Sequence, residues 1–217
     1  MLVDLHVHTR RYSGCSSIEP EDLLERALEI GLDGIALTEH GILWPSGPLE
    51  ELRRTAGRRL RILVGQEVAC YSREGRFEGE LLVFGVDRAL GSNSSAAELI
   101  STVRTVGGIV IAAHPYKPSR TGVGYYGLGN ALSCYDVDAI ELGHPDHDGR
   151  SIIEGARLSV VGNIPATGGS DAHSLSALGA YATLCLRDVA CEKDLAAAVR
   201  QGLVVPVARK DGRYVPL

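Results

Sequence analysis

All seven histidines of this chain lie near apolar, β-branched runs, and five of them close one. His6 and His8 end LVDLHVH, His40 ends GIALTEH, His114 ends GIVIAAHP, and Asp171 and His173 end PATGGSDAH. Imidazole and carboxylate at several strand ends are the donor types that gather around a divalent cation. His6 and His8 are two apart, so on a strand both point to one face and can chelate one ion. Asp171 and His173 repeat that spacing after Gly168-Gly169, where the backbone can approach closely. Glu67 sits inside ILVGQEVAC, and a buried carboxylate is costly unless paired or metal-bound. Asp4 shares the strand with His6 and could orient an imidazole from behind. Each of these signals alone has an ordinary reading as a core or surface side chain. That reading is the natural one for His147 and is balanced against ligation for His144, both in ELGHPDHDG.

Strand signals alternate with helix signals. After the first strand, a proline and acids in the first turn start a helix at Glu19–Asp22, and Gly31 stops it. Further helices are expected near 49–59, 95–106, 151–158 and 192–201. Strands are expected at DGIALTEH, RILVGQEVAC, EGELLVFGVD, GGIVIAAHP, VDAIELG, IPATGGSDAH, AYATLCL and LVVPVA. The third and fourth strands can pair through the polar turn at 73–78. Repeated βα units imply a parallel sheet. Donors spread over the ends of many strands favour a barrel over an open sheet, which gathers its site at one switch point. A long Gly/Tyr-rich loop from Tyr116 to Ser133 is a candidate lid.

A length of 217 residues suits one domain, residues 1–217, with a full core. The net charge of −5 argues against a nucleic-acid or membrane surface, while leaving room for a local basic pocket. Five cysteines without a CxxC pair indicate neither a disulfide framework nor a zinc ribbon. No apolar stretch approaches the length of a membrane span, and the expected setting is cytoplasmic.

The ordered set DLHVHT with a following YS, then GLDGIALTEH, VGQE, AAHP and GGSDAH, resembles the polymerase and histidinol phosphatase (PHP) family over nearly the whole chain. The resemblance implies an α/β fold, a distorted seven-stranded βα (TIM-like) barrel, with two or three divalent metal ions (Zn, Mn or Fe). It implies that His6, His8, Glu67 and Asp171 hold one metal, that Glu67 bridges to a second bound by His114, and that His40 and His173 hold a third. Two departures stand out. The place of the usual aspartate or histidine after H-x-H falls near Cys15, a soft donor suited to zinc. Leu82 stands where some relatives carry a further histidine, which makes His144 the candidate to complete the second metal.

Cations a few ångströms apart suit hydrolysis of phosphate esters, polarising P–O bonds and acidifying a bridging water to a hydroxide nucleophile. Asp171 or a pocket histidine such as His173 would move the proton. Phosphate oxygens call for cations, and Arg10, Arg11, Lys117 and Arg120 lie nearest in sequence. Tyr116, Tyr125 and Tyr126 could face an aromatic or nucleoside moiety. The expected substrate is a small phosphorylated metabolite or nucleotide, with no stable nucleic-acid partner and no membrane. The alternatives are an exonuclease acting on nucleic-acid ends and a non-catalytic metal-binding regulatory domain.

Overall fold

A computed structural model describes residues 1–120 and 123–217. The elements run β1 (Leu2–Val7), α1 (Pro20–Glu29), β2 (Gly34–Leu37), α2 (Ser46–Ala56), β3 (Arg61–Tyr71), β4 (Phe77–Phe84), α3 (Ala96–Thr105) and β5 (Ile109–Ala112). A short 3-10 turn (Gly129–Cys134) leads to β6 (Ala139–Gly143), α4 (Gly149–Gly162), β7 (Ala166–Gly168), β8 (Tyr181–Cys185), α5 (Glu192–Arg200), β9 (Val204–Lys210) and β10 (Arg213–Pro216). Ten strands, rather than the expected seven, form one mixed sheet in the order β10-β9-β8-β1-β2-β3-β4-β5-β6-β7. β1, β2 and β3 pair in parallel, as do β5, β6 and β7. β4 enters antiparallel because the turn after Tyr71 is too short for a crossover helix. At the other edge β8, β9 and β10 form an antiparallel meander beside β1.

The sheet curls so that its far end returns to β1. His8 N donates to Ala172 O (3.1 Å), and the Thr183 hydroxyl on β8 donates to Gly168 O on β7 (2.8 Å). α1 and α2 cover one outer stretch through Leu23, Ala27, Leu49 and Leu52 against Ile35, Leu37 and Ile62. α3 covers the next through Leu99, Ile100 and Val103 against Leu81, Val83 and Val110. α5 packs Leu195, Ala198 and Val199 against Val3, Leu5, Ile109 and Ile111 of the inner strands. Helices therefore seal most of the curl and leave one end for polar side chains.

β3 is the strand that defines this end. Arg61–Val64 pair with β2, and the strand then runs on beyond β2, pairing Gly65–Tyr71 with β4. Glu67 sits where β3 outruns its neighbour. A carboxylate in mid-strand is thus still at the mouth of the curl. No helix among the described residues is long and apolar enough to cross a membrane.

Candidate metal centre

β1 delivers His6 and His8 to the mouth, both fully buried, with their Nε2 atoms 3.1 Å apart. His6 Nδ1 lies 3.1 Å from Glu141 Oε1, so its N–H donates to that carboxylate and its Nε2 is left as a lone pair. His8 Nδ1 lies 3.4 Å from Ser13 Oγ, whose own hydroxyl donates to Glu39 Oε2 (2.5 Å). Ser13 therefore accepts from His8, and His8 Nε2 is bare as well. Around these lone pairs stand Glu67 Oε1 (3.4 Å from His6) and Oε2 (3.3 Å from His8), with Asp171 Oδ1 at 3.5 and 3.2 Å. Four acceptor groups from three segments, β1, β3 and the loop after β7, face one another, and a cation would satisfy all of them at once. Imidazole nitrogen with carboxylate oxygen is a donor set for zinc, manganese or iron.

Electrostatics follow from that crowding. Burial disfavours a charged His6, but Glu141, Glu67 and Asp171 outweigh it and raise its pKa well above the ordinary value. Burial alone would raise Glu141; the neighbouring His6 charge and hydrogen bond bring it down to about 2. Burial would likewise raise Asp171, and His6, His144 and His8 hold it well below the carboxylate range. Protons and a divalent cation thus compete for the same lone pairs.

Two further groups share members with the first. Glu67, Glu80 and His114 bring their donor atoms together, as do His8, His40 and His173 at the rim. His114 Nε2 lies 2.8 Å from Glu67 Oε1 and 3.6 Å from Glu80 Oε2. Burial, with the Glu67 charge next, pushes Glu80 up to about 9. His40 Nδ1 is 2.9 Å from Glu67 Oε2, and its Nε2 is 3.3 Å from Cys15 Sγ. His173 Nδ1 donates to Asp171 O (2.8 Å) and leaves Nε2 bare. A fourth set joins His114, His144 and Asp171.

His114 and Asp171 both have positive φ, 23° and 49°, a region non-glycine residues rarely visit. Their backbones are strained where their side chains turn inward. Gly169 has no room for a side chain, because a Cβ there would meet Glu141 Oε1 and come within 2.6 Å of His6 Cβ. GGSDAH can approach the site this closely only with glycine at position 169.

A cavity of about 510 Å³ opens over these groups, lined by Cys15, His40, Glu67, Glu80, His114, Lys117, Arg120, Tyr126, Asp171 and His173. Lys117 and Arg120 reach it as expected. Arg10 and Arg11 do not: the loop after His8 turns outward, Arg10 pairs with Glu19 (2.7 Å) and Arg11 lies over the Trp44 ring. Of the three tyrosines only Tyr126 lines the cavity; Tyr116 and Tyr125 line a separate one with Asp148 and Ser151. Residues 121 and 122 of the candidate lid lie outside the described residues. His147 is buried, its Nδ1 donating to Leu142 O (3.0 Å), and it does not line the cavity.

Three carboxylates were not singled out from sequence. Glu141 stands in the apolar run AIELG and carries the same signal that marked Glu67. It orients His6 and accepts from His114 N (2.8 Å). Asp4 does not orient an imidazole; it accepts from Ser170 N (3.0 Å), Gly179 N (3.0 Å) and His6 N (3.3 Å) and ties the GGSDAH loop to β1. Leu82 opposes Glu67 in register but packs in the core with Leu5 and Ile111, and Glu80, two residues along the same face, reaches the site instead. Glu39 holds Thr9, Ser13 and the Trp44 indole, and so fixes the loop leading to Cys15.

Residues 4–114 match the PHP domain, and residues 156–204 match the PHP-associated C-terminal region. The chain belongs to the PHP domain family. An uncharacterized protein of Methanocaldococcus jannaschii is 26% identical over 157 residues, covering 68% of this PHP chain and 84% of the relative. A solved structure classed as a metal-dependent phosphoesterase, from Bifidobacterium adolescentis, superposes with a TM-score of 0.64 at 19% identity, over 79% of this chain and 87% of that one. A two-domain protein of Bacteroides vulgatus, containing a predicted PHP-like metal-dependent phosphoesterase, gives 0.70 at 15% identity over 95% of this chain and 64% of its own. An amidohydrolase of Chromobacterium violaceum with bound sulfate and no metal gives 0.62 at 16% identity, over 94% and 97%. At these identities the solved structures share the fold.

Proposed function

We propose that residues 1–217 act as one metallohydrolase domain that cleaves a phosphomonoester of a small metabolite or nucleotide. The observation that carries this reading is the convergence of three donor groups on one cavity that also receives Lys117 and Arg120. Two or three divalent cations, Zn, Mn or Fe, would supply Lewis-acid polarisation of phosphoryl oxygens and acidify a water. His6, His8, Glu67 and Asp171 hold the inner position, Glu67, Glu80 and His114 the second, and His40 and His173, with Cys15 beside them, the rim. His173 is placed to take or return a proton at Nε2, because its Nδ1–H is committed to Asp171 O. Arg120 is exposed at the cavity wall and suits a phosphate oxygen. Tyr126 offers a ring face beside it. A volume of about 510 Å³ accommodates a mononucleotide-sized ligand.

The test is turnover of p-nitrophenyl phosphate with added Mn or Zn, comparing intact protein with His8→Ala and Asp171→Ala. Metal-dependent turnover lost in both variants is the expected result. Equal rates in all three would remove the hydrolase reading.

A further inference from the structure

Four histidines at the centre have a readable tautomer, and one runs opposite to the others. His6, His8 and His173 each donate from Nδ1, to Glu141, Ser13 and the Asp171 carbonyl, which bares Nε2 toward the site. His144 instead accepts at Nδ1, from the backbone N–H of Asp146 (3.0 Å). Its ring proton is therefore on Nε2, which points at Asp171 Oδ2 (3.3 Å). To bind a cation through Nε2, His144 would have to carry its proton on Nδ1, where it would oppose the Asp146 N–H at a ring that is itself buried.

Lys117 converges on the same oxygen, with Nζ 2.6 Å from Asp171 Oδ2, and Asp146 Oδ2 stands 3.5 Å from that ammonium. Asp146 thus serves both donors: its N–H sets the His144 tautomer and its carboxylate steers Lys117. The two oxygens of Asp171 are divided. Oδ2 faces Lys117 and His144, while Oδ1 faces His8 (3.2 Å) and His6 (3.5 Å).

We propose that His144, Asp146 and Lys117 form a clamp on Asp171 Oδ2, in which His144 is a proton-bearing donor and not a metal ligand, so that Asp171 offers a single oxygen to the inner cation. The proposal rests on the metal-centre reading above. It makes His144 and Lys117 positioning residues acting through Asp171, and it leaves Arg120 as the phosphate-facing cation of the cavity wall. Ordering a ligand carboxylate by outer hydrogen bonds raises its affinity for the ion and fixes its orientation.

The test uses the full chain, nitrogen-labelled at histidine, stripped of metal and loaded with an NMR-active cadmium isotope. Cadmium coupling is expected at Nε2 of His6 and His8, with a bound proton and no coupling at Nε2 of His144. Elemental analysis at saturation should find the same number of ions in His144→Ala as in the unsubstituted protein. Affinity should fall about 10–100-fold in His144→Ala and in Lys117→Met. His144→Gln, which can present an amide N–H to Oδ2, and Lys117→Arg should each recover part of that loss. Thermal unfolding of every variant separates misfolding from weakened binding, and the cadmium spectrum needs no variant at all. Coupling at His144 Nε2, or one ion fewer in folded His144→Ala, would overturn the clamp and leave the metal centre standing. Unchanged affinity in both His144→Ala and Lys117→Met would do the same. Absence of coupling at every histidine would overturn the metal centre together with the clamp.

Discussion

The inner and rim ends of this centre are built from similar residues on different terms. At the inner end, His6, His8 and Glu67 are at most 2% exposed, and each imidazole is oriented by a buried oxygen, from Glu141 or Ser13. At the rim, the His40 side chain is 43% exposed and that of His173 is 32% exposed, and the nearest additional donor is the thiol of Cys15. Burial makes unpaired charge expensive, so the inner end holds its donors ready and binds strongly whatever neutralises them. The rim donors are wetter and fewer in charge. Filling order should follow: inner positions first, rim last.

The largest effect that could break this contrast is removal of an inner donor. Asp171→Ala should cost on the order of 10³-fold in kcat/KM for a phosphomonoester, the equivalent of several kcal/mol of lost Lewis-acid stabilisation. An activity and metal-content assay of that variant checks it, and a fully active protein would mean the inner end is not the reaction centre. Next comes Glu141→Gln, which keeps the shape but removes the charge behind His6. It should weaken inner-metal affinity by about 10–100-fold, measured by chelator competition, with the rim affinity unchanged.

Acid sharpens the same comparison. The folded Glu141 carboxyl lies at about 2 against an ordinary 4.5. A depressed carboxylate contributes stability that is present above pH 4.5 and lost as pH falls from there toward 2. His6, raised above its ordinary 6.5, contributes fully below that value and loses its share as pH rises through its folded value. Metal-free protein should therefore melt at lower temperature below pH 4.5, and Glu141→Gln should flatten that fall. A melting curve whose pH dependence is the same in both proteins would count against the inner electrostatics described here. The smallest effect belongs to the rim. His40→Ala should remove one ion per chain at saturation while inner ions remain, and Cys15→Ser should change only the preference for soft over hard metals, read as loss of the thiolate charge-transfer band in cobalt-loaded protein. Loss of inner ions in His40→Ala would merge the two ends into one.

How much of this was readable in advance depended on the kind of signal. The H-x-H pair, the D-x-H pair and Glu67 declare themselves, because strand periodicity puts alternate residues on one side and because a carboxylate in an apolar run needs a partner. Arg10 and Arg11 misled, since nearness in sequence to His8 says nothing about which way the following loop turns. Leu82 and Glu80 are two residues apart on one strand, and only the antiparallel register with β3 decides which of them reaches the mouth. The seven strands implied by the family resemblance stand against a curled sheet of ten; nine of the ten carry readable strand signals, the β3–β4 pairing among them, and β10, which follows a tight turn after β9, does not.

From the chain alone came the donors themselves, their strand-end placement and the family they signal, because residue type and two-residue spacing act locally. Tertiary structure alone decided which nitrogen of His6, His8, His144 and His173 carries the proton, which oxygen of Asp171 faces His6 and His8, and that Glu141, Glu80 and Asp146 stand beside them. Those outcomes depend on hydrogen bonds between segments far apart in the chain, and a proton's position on an imidazole is set by the partner that folding brings to its other nitrogen.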